Sequence, residues 1–261
     1  MYLRGTHAES SIKALFELIK ANPLGVLTTA INSSSHPFIQ SSHIPWVLDE
    51  ISDDHNAPVK GKLRGHIAKQ NPQSKAMIES VTEAADGFST GVSQLQQDVM
   101  ILFTASCHHY VTPKFYTETK PSTAKVVPTW NYAAAQVYGK ATIYYESSSS
   151  ETSIYLSHQI RDLSQMCETS IMGYSGEEGK PTAWKVEDAP ERYIEIMKKN
   201  IIGIEVRIER IGGKFKMSQE LGKGDRDGVM QGFSGLGCEI GNNMAALIKE
   251  RGEIKDAVKA R

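Results

Sequence analysis

The chain has 261 residues, 40% of them hydrophobic and 23% charged, an ordinary globular composition that excludes a fibre or a disordered chain and can bury one sizeable core. Its 29 basic and 30 acidic side chains leave a formal net charge of -1, so no overall field draws it to nucleic acid or to an anionic membrane. The first 22 residues lack the apolar stretch of a secretory signal, no apolar run approaches the roughly 20 residues a bilayer needs, and Cys107, Cys167 and Cys238 form no CxxC pair, so a soluble protein of the reducing cytoplasm is expected.

Thr6 and Glu9 stand at capping-box spacing. Ile12, Leu15, Phe16 and Ile19 then recur at helical intervals, so an amphipathic helix is predicted to run to about Ala21, where Asn22-Pro23 stops it. Short β-like stretches follow at 24–30, 38–40, 44–48 and 61–67, parted by turn residues, the rhythm of a meandering antiparallel sheet. Asn71-Pro72 restarts a short helix through Met77 and Ile78. Residues 82–97 turn polar without a period and are read as a surface insertion, after which a strand resumes at 99–104.

The aromatic and β-branched run 130–145 predicts a long strand bent or bulged at Gly139. Leu156, Ile160, Leu163 and Cys167 define a second helical stripe, and Asp188-Ala189-Pro190 opens a third helix holding Ile194 and Met197. Residues 202–208 alternate strictly, with Ile202, Ile204, Val206 and Ile208 facing one way. Gly212-Gly213 reads as a hairpin turn into a strand at 214–219. Met244, Leu247 and Ile248 mark a C-terminal helix, with 251–261 as a charged tail. No internal repeat or change of composition divides the chain, so one domain over 1–261 is expected.

There is no GxGxxG, no Walker motif, no GxSxG and no HExxH, which removes the commonest dehydrogenase, NTPase, hydrolase and zincin readings. Three polar and aromatic segments stand out instead. Residues 65–73 put His66, Lys69, Asn71 and Gln73 at a strand-to-helix corner, where a helix start offers N–H groups to a phosphate or Asn71 merely caps the helix. Residues 125–132 combine Lys125, Thr129, Trp130 and Asn131, able to line a flat heterocycle or to form core beside a polar turn. Residues 214–219 alternate, pointing Lys214, Lys216 and Ser218 to one face, as a phosphate-binding edge or a guard against aggregation.

These segments, with Pro23-Leu24-Gly25, Ser42-His43-Ile44-Pro45, Val137-Tyr138-Gly139, Asp188-Ala189-Pro190 and Gly203-Ile204-Glu205, resemble in their order the PaiB-like FMN-binding split-barrel family, often labelled negative transcriptional regulators. The most specific strings are Asn71-Pro72-Gln73, Pro128-Thr129-Trp130-Asn131-Tyr132 and Lys214-Phe215-Lys216-Met217-Ser218-Gln219. The resemblance implies an α+β fold built on an antiparallel split β-barrel of the pyridoxamine-phosphate-oxidase type with flanking helices. It further implies a homodimer that shares ligand pockets at its interface.

FMN is the cofactor implied, with Lys69, Lys125 and Lys216 as candidate phosphate partners, Thr129, Trp130 and Asn131 near the ring, and His66, Asn71, Gln73 and Ser218 completing the set. One departure from the family pattern is Tyr110-Val111-Thr112-Pro113-Lys114-Phe115-Tyr116, which has Thr and Phe where Ser and Trp are usual. The activity implied is an FMN-dependent oxidoreductase or a flavin-linked regulator. Two alternatives stand beside it. One is a haem-binding protein with His43, His66, His108 or His109 as axial ligand, and the other a DNA-binding regulator, for which the chain shows no helix-turn-helix signature and no basic surplus.

Overall fold

The computed structural model describes residues 1–51, 59, 61–84 and 91–259. The first half of the chain forms β1 (Ala8–Glu9), α1 (Ile12–Ala21), β2 (Leu24–Ala30), β3 (Ile39–Pro45), β4 (Val47–Glu50), β5 (Gly61–Ala68), α2 (Pro72–Glu83), β6 (Val92–Thr104), β7 (His109–Val111) and α3 (Thr119–Thr123). The second half forms β8 (Thr129–Tyr144), α4 (Ser150–Met166), α5 (Glu191–Lys198), β9 (Ile201–Lys216), α6 (Lys223–Ser234) and α7 (Glu239–Lys259). This is an α+β fold built on an antiparallel sheet with flanking helices.

Two compact units divide the chain, one made of Met1–Asn22, Phe103–Gln136 and Gly212–Arg261, the other of Pro23–Leu102 and Val137–Ile211. The second unit carries the hydrogen-bonded strand order β3-β2-β6-β8-β9-β5-β4. Pairs β2–β3, β2–β6, β4–β5 and β5–β9 are antiparallel, with Leu27 opposite Ser42 and Gly65 opposite Ile204. The alternation read at 202–208 holds: Ile202, Ile204, Val206 and Ile208 are wholly buried. Helix α4 lies on β5 and β9 through Tyr155, whose hydroxyl donates to Ile204 O at 2.7 Å and whose ring stacks on Tyr144 at 3.9 Å. That approach needs Gly203, because a Cβ there would lie 2.3 Å from Tyr155 Cε1.

In the first unit, α1 buries Leu15, Phe16, Leu18 and Ile19, and β1 pairs with the end of β9 at Ala8 opposite Lys214. Helices α6 and α7 contribute the buried Val229, Phe233, Met244 and Ile248. The α3 segment is pinned by the buried Asp225, which accepts from the backbone N–H groups of Glu118 and Thr119 and from the Thr119 hydroxyl. Arg251 closes this unit, with Nη1 2.6 Å from Glu9 Oε2 and the guanidinium 3.7 Å above the Phe215 ring.

Several sequence expectations change. Gly212-Gly213 is no hairpin: β9 runs through it unbroken for 16 residues, because Gly213 serves the close approach of Leu15, whose Cδ2 would lie 1.9 Å from a Cβ. Strand β9 then stops at Lys216 rather than reaching 219, and Ser218 takes a left-handed φ of 57°. Ser11, not Thr6, caps α1, its hydroxyl accepting from Ala14 N at 3.3 Å. Of the insertion expected at 82–97, residues 85–90 lie outside those described, while β6 already begins at Val92. The tail expected from 251 continues α7 to Lys259. Gly139 lies within the unbroken β8 and admits a close neighbour, since a Cβ there would sit 1.9 Å from the Arg207 carbonyl oxygen.

Candidate functional site

The residues singled out in the sequence form two groups, one in each unit. In the first unit, Thr129 opens β8 and Lys216 closes β9. Lys216 Nζ donates to Thr129 Oγ1 and, at 2.9 Å, to the Trp130 carbonyl oxygen, while Glu220 Oε1 lies 3.9 Å away. Burial pushes the Lys216 ammonium below the usual lysine range; Glu220 works against that push and Lys214 adds to it. A desolvated cation beside a hydroxyl is a donor set suited to an anionic ligand group.

Alternation along β8 puts Thr129 and Asn131 on one face and Trp130 and Tyr132 on the other. Asn131 and Ser218 are 0% exposed and are bonded to each other, Asn131 Nδ2 donating to Ser218 Oγ at 2.9 Å. The Asn131 amide, expected at the edge of a heterocycle, is thus spent on holding the Ser218 turn. Trp130 is 49% exposed, so it is not core. Its Nε1 donates to His108 Nδ1 at 3.3 Å, and its centroid stands 6.3 Å from that of Tyr110, its cross-strand partner. Lys125 lies exposed on the coil after α3. His109 turns Nδ1 to Tyr110 O at 2.8 Å and packs edge-on against Phe233.

The second group ties its corner together. Asn71 caps α2, its Oδ1 accepting from Gln73 N at 2.8 Å and its Nδ2 donating to Ser42 Oγ at 3.1 Å. Gln73 is buried, and its Nε2 reaches Thr29 Oγ1 at 3.0 Å and Gln40 O at 3.1 Å, stitching the helix to β2 and β3. Lys69 Nζ donates to Tyr145 O at 3.1 Å. His66 has its Nδ1 buried without a hydrogen-bond partner, and burial pushes its imidazolium pKa down. His43 is exposed on β3. Among the described residues, no group of three or more His, Cys, Asp or Glu side chains could hold a metal ion.

Two residues of the first unit were missed in the sequence. Glu220 sits four residues after Lys216, a spacing that carries no signal while 214–219 is read as a strand. Its other oxygen lies 3.1 Å from Nε2 of the buried His7, more than 200 residues away in the chain. Tyr116, also buried, is pushed above the usual phenol range by burial first, then by the carboxylates of Glu220 and Asp225 and by Tyr110.

Residues 1–210 match the family model described as "Putative FMN-binding domain". The chain belongs to this FMN-binding family. Membership makes FMN its cofactor and the chain a flavin-binding protein. A relative from Aspergillus fumigatus is 56% identical over 260 residues, covering 98% of this chain and 99% of the relative. Protease synthase and sporulation protein PAI 2 of Bacillus subtilis is 24% identical over 250 residues, covering 96% and 95%. Among solved structures, the FAD and heme binding protein from Mycobacterium smegmatis aligns with a TM-score of 0.41 at 13% identity, over 80% of this chain and 73% of that one. Lys216, Ser218 and Glu220 lie beyond the stretch matched by the family model but within the span shared with the Aspergillus relative. Among the described residues, no helix is long and apolar enough to cross a membrane.

Proposed function

We propose that this family member binds FMN through the first-unit cluster, with Lys216 and Thr129 taking the phosphate and the exposed indole of Trp130 facing the ring, and that it works as an FMN-dependent oxidoreductase. The observation that carries this reading is Lys216 itself, a half-buried ammonium held by a hydroxyl and a carbonyl oxygen, all three at strand ends. Within the second group, Asn71 and Gln73 are committed to holding their own corner, which favours the first. Bound flavin supplies one- or two-electron transfer, while the chain supplies charge, orientation and an aromatic surface.

The barrel and the dimer belong to the same proposal. A split barrel is supported by Gly65 of β5, next to one end of the hydrogen-bonded order, where a Cβ would lie 2.9 Å from Ile44 of β3, the strand at the other end. A homodimer is supported by the exposed Phe38 and Ile39 at the β3 edge.

Titration with FMN and with riboflavin, which lacks the phosphate, tests the site. Lys216→Gln should weaken FMN at least tenfold, about 1.4 kcal/mol, and leave riboflavin nearly unchanged. Equal loss for both ligands would move the phosphate elsewhere. Bleaching of the flavin band by reduced nicotinamide tests the oxidoreductase role, and salt-sensitive DNA binding would favour a flavin-linked regulator. Haem is the second reading, favoured by the exposed imidazole of His43 on β3. A Soret band on adding haemin, lost in His43→Ala, would establish it.

A further inference from the structure

We infer that Glu220, anchored by His7, is a positioning residue that keeps the Lys216 ammonium charged and aimed at an anionic ligand group. The inference rests on the reading of Lys216 as a phosphate partner, and it adds two residues that neither sequence pattern nor family membership assigns.

The geometry begins at the end of β9. Ser218, in its left-handed conformation and clasped by Asn131, reverses the chain so that Glu220 returns towards Lys216. Gln219 locks the same turn: its Oε1 accepts from Met217 N at 2.6 Å and its Nε2 donates to Thr6 O at 3.1 Å. That last bond, with Phe215 N donating to His7 O at 2.8 Å, brings the N-terminal segment alongside. His7 then fixes one oxygen of Glu220 at 3.1 Å, and the other is left 3.9 Å from Lys216 Nζ.

Glu220 is 17% exposed and Lys216 16%, so water screens their attraction only in part. Thr129 Oγ1 and the Trp130 carbonyl oxygen are neutral acceptors: they orient the ammonium without supplying a countercharge. Lys214 is the other charged group acting on Lys216, and it disfavours the ammonium as burial does. The groups facing Glu220 are His7, Lys216 and Tyr116, with Asp225 also acting on Tyr116. Within this set Glu220 is the carboxylate that holds the proton on Lys216, and His7 keeps it from swinging out to solvent. The gap of 3.9 Å leaves the pair looser than a direct hydrogen bond, so a ligand phosphate can share the ammonium with Glu220.

The test reads Lys216 directly and without flavin. Reactivity of its amine toward an acylating reagent, followed by peptide mass spectrometry from neutral to strongly alkaline pH, gives the pH at which the ammonium loses its proton. Glu220→Gln should lower that pH by about one unit, a tenfold change in proton affinity. Glu220→Asp should restore most of it, and His7→Phe should give an intermediate shift. FMN affinity should fall at correspondingly lower pH in Glu220→Gln, while riboflavin affinity should not follow. An unchanged Lys216 titration in folded Glu220→Gln and His7→Phe proteins would overturn the inference, whatever FMN does. A shifted titration with no FMN binding by the parent protein would support the inference while sinking the flavin site.

Discussion

Asn131 and Ser218 show how much a single buried pair can decide. Each is sealed from water and each satisfies the other, so removing one strands a polar group in the interior, which costs about 1–3 kcal/mol. Asn131→Ala and Ser218→Ala should each lower stability by that amount in urea unfolding, and the double variant should lose less than the sum, with a coupling of about 0.5 kcal/mol or more. Strict additivity would mean that the pair is not a clasp. The sequence marks Asn131 as important because an amide beside a tryptophan can hold a heterocycle by its edge and its face. It cannot say whether the amide faces a ligand or the interior, since that depends on a turn 87 residues later. Trp130 is the converse: its type suggests core, and only the structure shows its ring exposed.

Asp225 gives the second expectation at this scale. Burial opposes its charge, yet the hydroxyl of Thr119 and the backbone N–H groups of Glu118, Thr119 and Thr117 prevail and hold its pKa below the usual aspartate range. A folded-state pKa below the unfolded value of roughly 3.9 means that its stabilisation is complete above that pH and is lost as pH falls through the folded value. Asp225→Asn should therefore lose stability at neutral pH and show a flatter acid limb than the parent, read from thermal melts across the acid range. An unchanged acid limb would show that the α3 segment does not depend on this carboxylate.

At the scale of elements, glycines separate what pattern reveals from what it hides. Helix α1 and the 202–208 stretch of β9 were legible because apolar spacing alone defines their buried faces. Helix α6 was not seen as a separate helix, because Gly224, Gly228 and Gly232 occupy one face of it and leave that face without an apolar stripe. They stand there so that residues 115–118 can lie against the helix: a Cβ at Gly228 would meet Phe115 O at 2.3 Å, and one at Gly232 would meet Phe115 Cδ1 at the same distance. The same geometry ranks two substitutions. At Gly139 a Cβ would collide with a backbone carbonyl that cannot move away, whereas at Gly213 it would meet the tip of Leu15. Gly139→Ala should cost about 3 kcal/mol or more, and Gly213→Ala about 1–2, by denaturant unfolding. The reverse order would mean that β8 and β9 can part more easily than α1 can shift.

At the scale of the whole molecule, the family was legible in short strings such as Asn71-Pro72-Gln73, while the proposed homodimer rests on what the folded chain leaves uncovered. Strand β3 ends the hydrogen-bonded order and carries no Asp, Glu, Lys or Arg between Ile39 and Pro45. Edge strands are ordinarily guarded by charges, and this one instead presents Ile39 at 66% exposure beside the exposed Phe38. A second copy of the chain laid over that surface removes both the apolar area and the unguarded edge, and a twofold arrangement lets one patch serve both partners. Light scattering coupled to size exclusion should then give twice the 28.8 kDa chain mass at micromolar concentration. Because Ile39 is exposed in the single chain, Ile39→Glu should leave its fold intact while placing two like charges in the interface, and should return the mass to that of one chain. A parent protein that is already monomeric would leave the β3 edge without this explanation, and a dimer unaffected by Ile39→Glu would place the interface on another face.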